Sequence, residues 1–359
     1  MRVRVFYLLF LMIFVSCTTD DNRNYVEIPV GQYKEFSPAT PSAVYDVEPI
    51  YIQLPFRRGE DSRFGSIQKV IVRNDILYIK DSSNKRLITR PVSGGAYSVL
   101  DYRGRGPNEY LQISDFDVDE QGNIWILDGQ KDIIVKYSRD FEFVRSWPVE
   151  FQIDKIRCLP DGGFVFQIAI WDDSQYRGKQ LAFTDSAFAV EKVLLQYPKG
   201  KDDNFVFHNV FSDCEDGFFY CEPIDDHLYH ISDDGIVQNI YRFDFRTYTV
   251  PERYKKDIER HYEMINKNHK FITGAYGVTP SYITCDIHYN EENSVIFDRK
   301  NHTLAIFNQK ESGFMLVGYT PSGPIWQIRS DVSRTCVPEE VARWLDSGDD
   351  VLAIYPINE

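Results

Sequence analysis

Short apolar stretches separated by tight polar turns recur along most of the chain. Each stretch is rich in β-branched or aromatic residues and runs into a turn of Asn, Asp or Gly, after which a second apolar stretch begins. These turn residues tolerate the positive φ of a tight hairpin, and the flanking residues favour strands. The pattern therefore predicts β-hairpins in IVRNDILYIKD around Asn74, DVDEQGNIWILD around Gly122, CLPDGGFVFQ around Gly162, DCEDGFFYCE around Gly217, YNEENSVIFD around Asn293 and DSGDDVLAIYP around Gly348.

The spacing of these six turns indicates a repeated structural unit. Successive turns lie 48, 40, 55, 76 and 55 residues apart. A propeller blade of four strands takes about 40 to 45 residues, so most intervals fit one blade. We therefore predict an all-β fold, a six-bladed β-propeller, over residues 44–359.

The 76-residue interval is too long for one blade and predicts an insertion. Within it, Pro251 to Lys270 carries apolar residues at helical spacing behind a proline, which is favoured at helix starts. We expect a helical insertion at about 251–270. A second, shorter helix is expected in VPEEVARWL, Val337 to Leu345.

The stretch VYDVEPIYIQL, Val44 to Leu54, lies too far before the first turn to belong to the first blade. A propeller blade cannot bury both of its faces alone, so the ring has to close. Closure commonly uses a strand from one terminus to complete the sheet begun by the other. We expect this stretch to be the closing strand, paired in the last blade with residues around Val351 to Tyr355.

The first residues have the features of a secretory signal. Arg2 and Arg4 precede an apolar run of 11 residues, Val5 to Val15, which is too short to span a membrane as a helix. Ser16 directly before Cys17 resembles a bacterial lipoprotein signal, which predicts a signal peptide at 1–16 and acylation of Cys17. Each buried CH₂ of an acyl chain adds about 0.8 kcal/mol of membrane affinity. The alternative is an ordinary cleaved signal in which Cys17 has no special role.

The sequence TTDDN after Cys17 resembles the export signal that sends some lipoproteins to the surface of Gram-negative bacteria. We therefore predict an outer-membrane lipoprotein, exposed at the cell surface, with a linker over residues 17–43. The formal net charge of −14 at pH 7 makes a nucleic-acid partner unexpected, because phosphate backbones require clustered Lys and Arg.

Five cysteines other than Cys17 remain, and neither their number nor their spacing fits a metal knuckle. Cys214 and Cys221 flank a predicted hairpin turn, where the expected register would place them diagonally, a marginal geometry for a disulfide. We therefore interpret the five as buried thiols and predict no metal site: Cys158, Cys214, Cys221, Cys285 and Cys336.

Several stretches together carry a resemblance to a known family. They are VEPIYIQL, the run from IQKVIVRNDILYIKD to RGRGPNEY, ISDFDVDEQGNIWILD and the terminal DDVLAIYPINE. They resemble the six-bladed β-propeller lipoproteins of certain Gram-negative bacteria, which are related in fold to NHL-repeat propellers. The likeness is strongest over residues 44–170, although that family usually has glycine in place of Asn108. It implies a fold and a cell-envelope location, and it brings no catalytic residues to transfer.

The stretch RGRGPNEY, Arg103 to Tyr110, lacks both GxGxxG and GxxxxGK[ST], and no helix follows it, so it does not predict a phosphate loop. We interpret it as the connection from the outer strand of blade one, Ala96 to Asp101, to the inner strand of blade two, Ile113 to Val118. Such connections run beside the mouth of the central channel. The candidate ligand-binding residues are therefore Arg103, Arg105, Glu109 and Tyr110.

Two other segments imitate metal sites. Residues of DVDEQGNIWILD fall at positions 1, 3, 5, 6 and 12 of a calcium loop: Asp117, Asp119, Gln121, Gly122 and Asp128. No helices flank the segment, so a plain hairpin is favoured and calcium is the alternative. In DDHLYH, Asp225 to His230, the two histidines would point to opposite faces of a strand, so a zinc site is not favoured.

No GxSxG or HExxH motif is present, and the catalytic residues are unknown. We therefore predict a binding or scaffolding propeller whose partner is a glycan, a peptide or an envelope protein. Aromatic residues in predicted connections are candidates for stacking on sugar rings: Tyr102, Tyr110, Trp171, Tyr176 and Tyr276. The alternative function is that of a lyase or hydrolase with acid-base residues around the channel.

Overall fold

The computed structural model describes residues 24–55, 64–199, 209–222 and 224–357. Six small sheets form a ring in which each sheet is one blade, so the predicted all-β, six-bladed propeller is confirmed. The predicted signal peptide and Cys17 lie outside the described residues. None of the helices in the described ranges is long and apolar enough to cross a membrane.

The first strands of the chain, β1 (Asn24–Ile28), β2 (Lys34–Phe36) and β3 (Ile50–Leu54), belong to later blades. A 3₁₀ turn (Val30–Gln32) and the short helix α1 (Ser42–Tyr45) lie between them. Blades 1 to 3 then follow in order along the chain. Their strands are β4 (Ile67–Arg73), β5 (Ile76–Asp81), β6 (Arg86–Pro91) and β7 (Ser98–Leu100); β8 (Asp115–Val118), β9 (Ile124–Asp128), β10 (Ile133–Tyr137) and β11 (Phe143–Pro148); and β12 (Ile153–Cys158), β13 (Phe164–Ile168), β14 (Lys179–Thr184) and β15 (Val190–Gln196).

Blades 4 and 5 each gain a fifth strand, and blade 6 is completed from the start of the chain. Blade 4 holds β16 (Phe211–Cys214), β17 (Gly217–Cys221), β18 (His227–Ile231), β19 (Val237–Phe243) and β1. Blade 5 holds β20 (Lys270–Val278), β21 (Tyr282–Tyr289), β22 (Glu291–Asp298), β23 (Thr303–Asn308) and β2. Blade 6 holds β24 (Phe314–Thr320), β25 (Gly323–Ile328), β26 (Asp350–Ile354) and β3.

The closing strand is β3, as predicted, although it is shorter than the segment from Val44 to Leu54. It pairs antiparallel with β26, with Leu54 opposite Asp350 and Ile50 opposite Ile354. Ile52 and Leu54 point into an apolar cluster that joins blade 6 to blade 1. The ring is therefore closed by backbone hydrogen bonds between the two ends of the described chain.

The segment predicted as a linker over 17–43 is structured where it is described. β1 pairs in parallel with β19, and β2 pairs in parallel with β23. Ile28 and Val30 are buried against blades 4 and 5, and the Tyr33 ring meets Phe297 edge-on at 5.2 Å. These apolar side chains fix the segment along the outer edges of two blades.

The inner hairpin turns of blades 1 to 4 lie where the sequence predicts them. Residues in or next to these turns take positive φ, at 51° for Asn74, 83° for Gly122, 89° for Gly162 and 146° for Gly217, the first residue of β17. At Gly217 a Cβ would collide with the backbone of Ile231, so only glycine fits there. The turn chemistry predicted from the sequence is therefore the chemistry that shapes these four hairpins.

The predicted turns of the last two blades are placed wrongly. Asn293 lies inside β22, and the neighbouring turn at Asn290 joins the second and third strands of blade 5. Gly348 follows a helix and leads into β26, the third strand of blade 6. A strand, a turn and a strand also occur between the second and third strands of a blade, and a helix followed by a glycine can precede a strand, so the pattern predicts the number of blades but not the position of each turn.

The predicted helical insertion is confirmed as α2 (Glu252–Lys255) and α3 (Ile258–Asn268), between β19 and β20. The Asp257 side chain caps α3 by accepting a hydrogen bond from the Arg260 backbone. Ile258 and Ile265 anchor the helix in a small apolar cluster beside blade 5. The second predicted helix is α4 (Glu339–Asp346), between β25 and β26.

Candidate functional site

The propeller presents two different faces. We call the upper face the one that carries the connections from the outer strand of a blade to the inner strand of the next, and the lower face the one that carries the inner hairpin turns. The inner strands β4, β8, β12, β16, β20 and β24 surround the central channel. Any ligand of the channel has to be bound by side chains of these strands or by the loops at either mouth.

The lower half of the channel is crossed by ion pairs that converge on Asp213. This carboxylate accepts hydrogen bonds from Arg73 at 2.9 Å and from Arg157 at 2.8 Å. Arg73 and Asp213 come from blades 1 and 4, which lie opposite each other in the ring. Burial would raise the pKa of Asp213, but Arg157 and Arg73 outweigh it and hold the pKa below its usual value. Asp213 is therefore an anionic tie across the channel.

Higher in the channel, Asp115 joins three blades. It accepts hydrogen bonds from the Lys69 ammonium of blade 1 at 3.0 Å and from the Ile156 backbone of blade 3 at 3.1 Å. Asp117 of the same strand accepts one from the Cys158 backbone at 2.6 Å. The cavity left between these groups measures only ≈ 50 Å³. Among the residues that the structure describes, paired charges thus fill the channel and leave room for a ligand at its mouths.

A cleft of ≈ 530 Å³ opens at the upper mouth, between blades 1, 2 and 3. Lys80 and Lys155 lie in its wall although their residues are only 7% and 3% exposed. Lys80 donates a hydrogen bond to the Ser114 carbonyl at 2.9 Å. The remaining lining residues are mostly polar: Gln68, Asp81, Ser82, Lys85, Gln112, Ile113, Ser114, Gly129, Gln130, Gln152, Ile153, Asp154 and Trp171.

The buried lysines of this cleft have perturbed charges. Burial lowers the pKa of Lys80 to about 7, and the nearby ammonium groups of Lys155 and Lys69 act in the same direction while Asp115 opposes them. Burial also lowers the pKa of Lys155, with Asp115 opposing it only in part. The three lysines share the nearby carboxylate of Asp115, so an incoming anion would relieve both their repulsion and their desolvation.

Two acids also line the cleft, Asp81 and Asp154, and Asp154 offsets in part the lowering of the Lys155 pKa. Asp81 accepts hydrogen bonds from the buried guanidinium of Arg86 at 3.2 Å and from the backbone of Gly65 and Ser66. The Asp81 carboxylate thus holds the backbone of Gly65 and Ser66 in place before β4. Three lysines and two aspartates line the cleft, and Asp81 is engaged by Arg86, so positive charge prevails locally in a chain whose net charge is −14.

RGRGPNEY connects β7 to β8 as predicted, and its residues explain its shape. The Glu109 carboxylate accepts a hydrogen bond from the Gly106 backbone at 2.7 Å, and a Cβ on Gly104 would collide with that carboxylate. Tyr110 is fully buried, and its hydroxyl reaches the carbonyl oxygens of Lys85 and Leu100, both at 3.1 Å. Two of the four candidate side chains, those of Glu109 and Tyr110, thus make hydrogen bonds that hold this connection in place.

The other two candidates are exposed on the upper face. Arg103 pairs with Asp101, and neither Arg103 nor Arg105 is among the residues that line the cleft. The cleft is lined instead by the end of the same connection, Gln112 to Ser114. A ligand contact by Arg103, Arg105, Glu109 or Tyr110 stays a prediction.

Of the aromatic candidates, Trp171 lines the cleft and is 40% exposed. Tyr276 was expected in a connection, but it lies within β20 and its hydroxyl donates a hydrogen bond to the Leu316 carbonyl at 3.1 Å. Tyr102 is exposed and stacks on Tyr137, and Tyr176 packs edge-on against Phe151. Only Trp171 of this group contributes an aromatic face to the cleft.

The segment that imitates a calcium loop is the inner hairpin of blade 2. Asp119 accepts hydrogen bonds from the backbone of Gln121 and Asn123, which fixes the turn. Asp128, at the other end of β9, accepts one from the Leu111 backbone at 2.6 Å. The carboxylates therefore serve separate places in the fold and do not converge.

The two histidines of DDHLYH also lie apart. His227 lies 3.3 Å from Asp225 and 3.0 Å from Asp226, and Lys255 of α2 donates to Asp225 at 2.7 Å. Burial opposes protonation of His227, but its hydrogen bonds with Asp225 and Asp226 outweigh that effect and raise its pKa to about 9. This ion cluster ties the helical insertion to blade 4, whereas His230 lies toward the lower face.

Comparison with known proteins fits this fold. Residues 58–356 match the model of a family described as "Domain of unknown function (DUF4934)". The chain belongs to the DUF4934 family. A search of curated proteins gives no match.

Two solved structures show what the DUF4934 chain is similar to. A "Putative exported protein" from Bacteroides fragilis NCTC 9343 is 17% identical, with a TM-score of 0.74 over 94% of this chain and 100% of the other. A member of the DUF4221 family from Bacteroides vulgatus ATCC 8482 is 11% identical, with a TM-score of 0.52 over 86% and 98% of the two chains. At these sequence identities the similarity shows that the three chains share a fold.

Reasoning from the sequence missed the main features of the cleft in this DUF4934 chain. Lys80 and Lys155 lie in ILYIKD and FQIDKIRC, where a single lysine in a predicted strand suggests an exposed face. For Lys155 the useful signal was its place on the inner strand β12, because a lysine on a strand that lines the channel is buried or points into the channel; Lys80 lies on β5, the second strand of its blade, and carries no such signal. The prediction that the cysteines are buried thiols holds for Cys158, Cys221 and Cys285; all five described cysteines are free, and the other two are partly exposed.

Proposed function

We propose that the protein is a ligand-binding propeller of the cell envelope and that its upper cleft binds an acidic glycan. The observation that carries this proposal is the pair of buried lysines, Lys80 and Lys155, beside a cleft of ≈ 530 Å³. These lysines share one carboxylate, Asp115, so a bound anion would supply further counter-charge and lower the cost of keeping both ammonium groups charged. This local excess of positive charge contrasts with the overall negative charge of the chain.

The chemistry of the lining fits an acidic sugar better than a neutral one. Ammonium groups bind the carboxylate of a uronic acid, and side-chain amides bind hydroxyl groups. Gln112, Gln130 and Gln152 supply such amides, and the exposed indole of Trp171 offers a flat apolar surface for a sugar ring. This combination of a few convergent polar groups with an aromatic wall is typical of small-ligand sites.

The test is a titration of the purified chain with oligogalacturonates, monitored by calorimetry, and with the same oligomers after methyl esterification. Lys155→Gln should weaken binding of the acid form at least about tenfold, because a hydrogen bond to a charged group contributes about 1.5–3 kcal/mol. Lys310→Gln is the matched control, since that side chain is 75% exposed on blade 5 and should not change binding.

Binding should also depend on pH in a way that identifies Lys80. An anion binds the protonated amine, so affinity should fall as the pH rises through about 7, the pKa to which burial lowers Lys80. In Lys80→Gln this dependence should be absent. Equal binding of the methyl esters, or binding unaffected by both lysine substitutions, would contradict the proposal. Lysine-dependent binding of an acidic peptide without any response to glycans would assign the cleft to a protein partner instead.

The location at a membrane surface is part of the same proposal. It is supported by the signal pattern of residues 1–16 and by Ser16 directly before Cys17, and the Bacteroides fragilis relative in fold is named as exported. Cys17→Ser should move the protein from the membrane pellet to the soluble periplasmic fraction, because the acyl chains could no longer be attached. Retention of Cys17→Ser in the pellet after a high-salt wash would contradict lipid anchoring.

A lyase is the second candidate, and the lowered pKa of Lys80 favours it. A base with a pKa near 7 is suited to remove a proton next to a carboxylate whose charge Lys155 neutralises. Removal of this proton, with cleavage of the C–O bond at the β-carbon and uptake of a proton from water by the departing sugar oxygen, would leave an unsaturated sugar that absorbs ultraviolet light. Formation of this product by the parent chain, and its loss in Lys80→Gln, would favour the enzyme over the binding protein.

A further inference from the structure

A second group of reactive side chains lies on the lower face, away from the upper cleft. Cys214 ends β16, Asp216 lies in the adjoining turn, and His230 is part of β18. Their donor atoms lie within 4.8 Å of one another. We propose that these three residues bind one Zn²⁺ ion.

The separations between the donor atoms fit tetrahedral zinc. With Zn–S of about 2.3 Å and Zn–N and Zn–O of about 2.1 Å, tetrahedral angles require about 3.6 Å for S···N, 3.6 Å for S···O and 3.4 Å for N···O. The structure has 3.4 Å between Cys214 Sγ and His230 Nε2, and 3.6 Å between Cys214 Sγ and Asp216 Oδ1. His230 Nε2 and Asp216 Oδ1 lie 2.9 Å apart. Shifts of about half an ångström would therefore form the site.

The histidine ring is already held in place. His230 is 8% exposed, packs on Phe219 with ring centroids 5.0 Å apart, and has Nδ1 3.3 Å from the side-chain amide of Asn239. With Nε2 bound to metal, Nδ1 carries the proton and can donate a hydrogen bond. Rotation of the Asn239 amide would bring its oxygen to Nδ1 as the acceptor. A partner of this kind on the second ring nitrogen is usual for metal-binding histidines.

The site also has an open side. Three protein ligands leave one position of a tetrahedral ion free for water or a ligand. That position would face a cleft of ≈ 600 Å³ between blades 4, 5 and 6, which Tyr241, Thr279 and Tyr319 help to line. The Asp216 side chain is 61% exposed, so a metal ion can reach the group from solvent.

The other histidine and acid cluster of the described residues shows what a saturated group looks like. There Asp225 already pairs with Lys255 at 2.7 Å. Among the described ion pairs, none joins Asp216 to a lysine or arginine. The Cys214 group therefore has negative charge and a soft donor left for a borderline-soft cation such as Zn²⁺.

The test is a titration of the metal-free, reduced chain with Co²⁺, which takes the place of Zn²⁺ and reports on sulfur ligation through a thiolate-to-cobalt absorption band. We expect one equivalent to bind, the band to appear, and Zn²⁺ to remove it by displacement. Cys214→Ser should abolish the band, and Cys336→Ser should keep it, because Cys336 is the other partly exposed cysteine and lies elsewhere.

Two further variants keep the test decisive if Cys214→Ser folds poorly. Asp216→Ala changes an exposed side chain and should weaken Co²⁺ binding at least about tenfold, and Asn239→Ala should weaken it by about 10-fold through the orientation of His230. Failure to bind one equivalent, a band that survives in Cys214→Ser, or equal affinity in Asp216→Ala would overturn the proposal.

Discussion

Asp213→Ala is expected to lower the free energy of unfolding by about 3 kcal/mol. The substitution leaves the guanidinium groups of Arg73 and Arg157 without their shared carboxylate inside the channel. Removing one partner of a buried ion pair costs about 3–5 kcal/mol, because the remaining charge stays desolvated. The lower end applies, since the Asp213 side chain is 27% exposed. Urea unfolding with an unchanged m-value measures the loss.

Asp233→Ala is the control for this prediction. Asp233 also pairs with Arg157, at 2.9 Å, but its side chain is 37% exposed on the lower face. Pairs that reach solvent contribute about 1 kcal/mol or less, so a small change is expected. Equal losses of unfolding free energy in Asp213→Ala and Asp233→Ala would contradict the prediction, because the pair across the channel would then contribute no more than the pair at the surface.

The repeat architecture could be predicted from the sequence because it depends on local chemistry. Asn74, Gly122, Gly162 and Gly217 identify hairpins through the backbone conformations that only certain residues adopt easily. The closing strand follows from the same logic, because a ring needs a strand from the other end of the chain. The two misplaced turns have different causes: Asn293 lies three residues after Asn290, the turn between the second and third strands of blade 5, and Gly348 follows helix α4 on the way into β26.

The charged interior could not be predicted, because its pairs join distant parts of the chain. Lys69 meets Asp115 from the neighbouring blade, and Arg73 meets Asp213 from the opposite side of the ring. Nothing local distinguishes these residues from charges on a solvent-facing strand. RGRGPNEY shows the opposite case: its glycines have a local cause, the Glu109 carboxylate folded beneath Gly104.

The filled channel separates the two faces of the molecule. Side chains of Asp213, Arg73 and Arg157 meet within it, and the cavity between the inner strands is only ≈ 50 Å³. An acidic glycan at the upper mouth therefore could not pass to the lower face. The two proposals consequently fail or succeed independently, and a variant of Lys155 should not change binding of metal by Cys214.

Leu54→Ala is expected to lower the free energy of unfolding by about 2–5 kcal/mol, the range for truncating a buried leucine. Leu54 is 1% exposed and packs in a cluster that contains Ile79 of blade 1 and Leu352 of blade 6. Its loss leaves a cavity where the ring closes. The measurement is urea unfolding followed by tryptophan fluorescence and by circular dichroism.

Ile50→Ala is the matched control, because Ile50 lies on the same strand but is 53% exposed and should change stability by less than about 0.5 kcal/mol. In Leu54→Ala both probes should shift together. Each blade packs against the blades on both sides of it. Loss of the contact between blades 6 and 1 therefore destabilises the whole ring, and all blades unfold in one transition. Fluorescence and dichroism transitions that separate in Leu54→Ala would contradict this, because they would mean that blades far from the joint hold their structure without a closed ring.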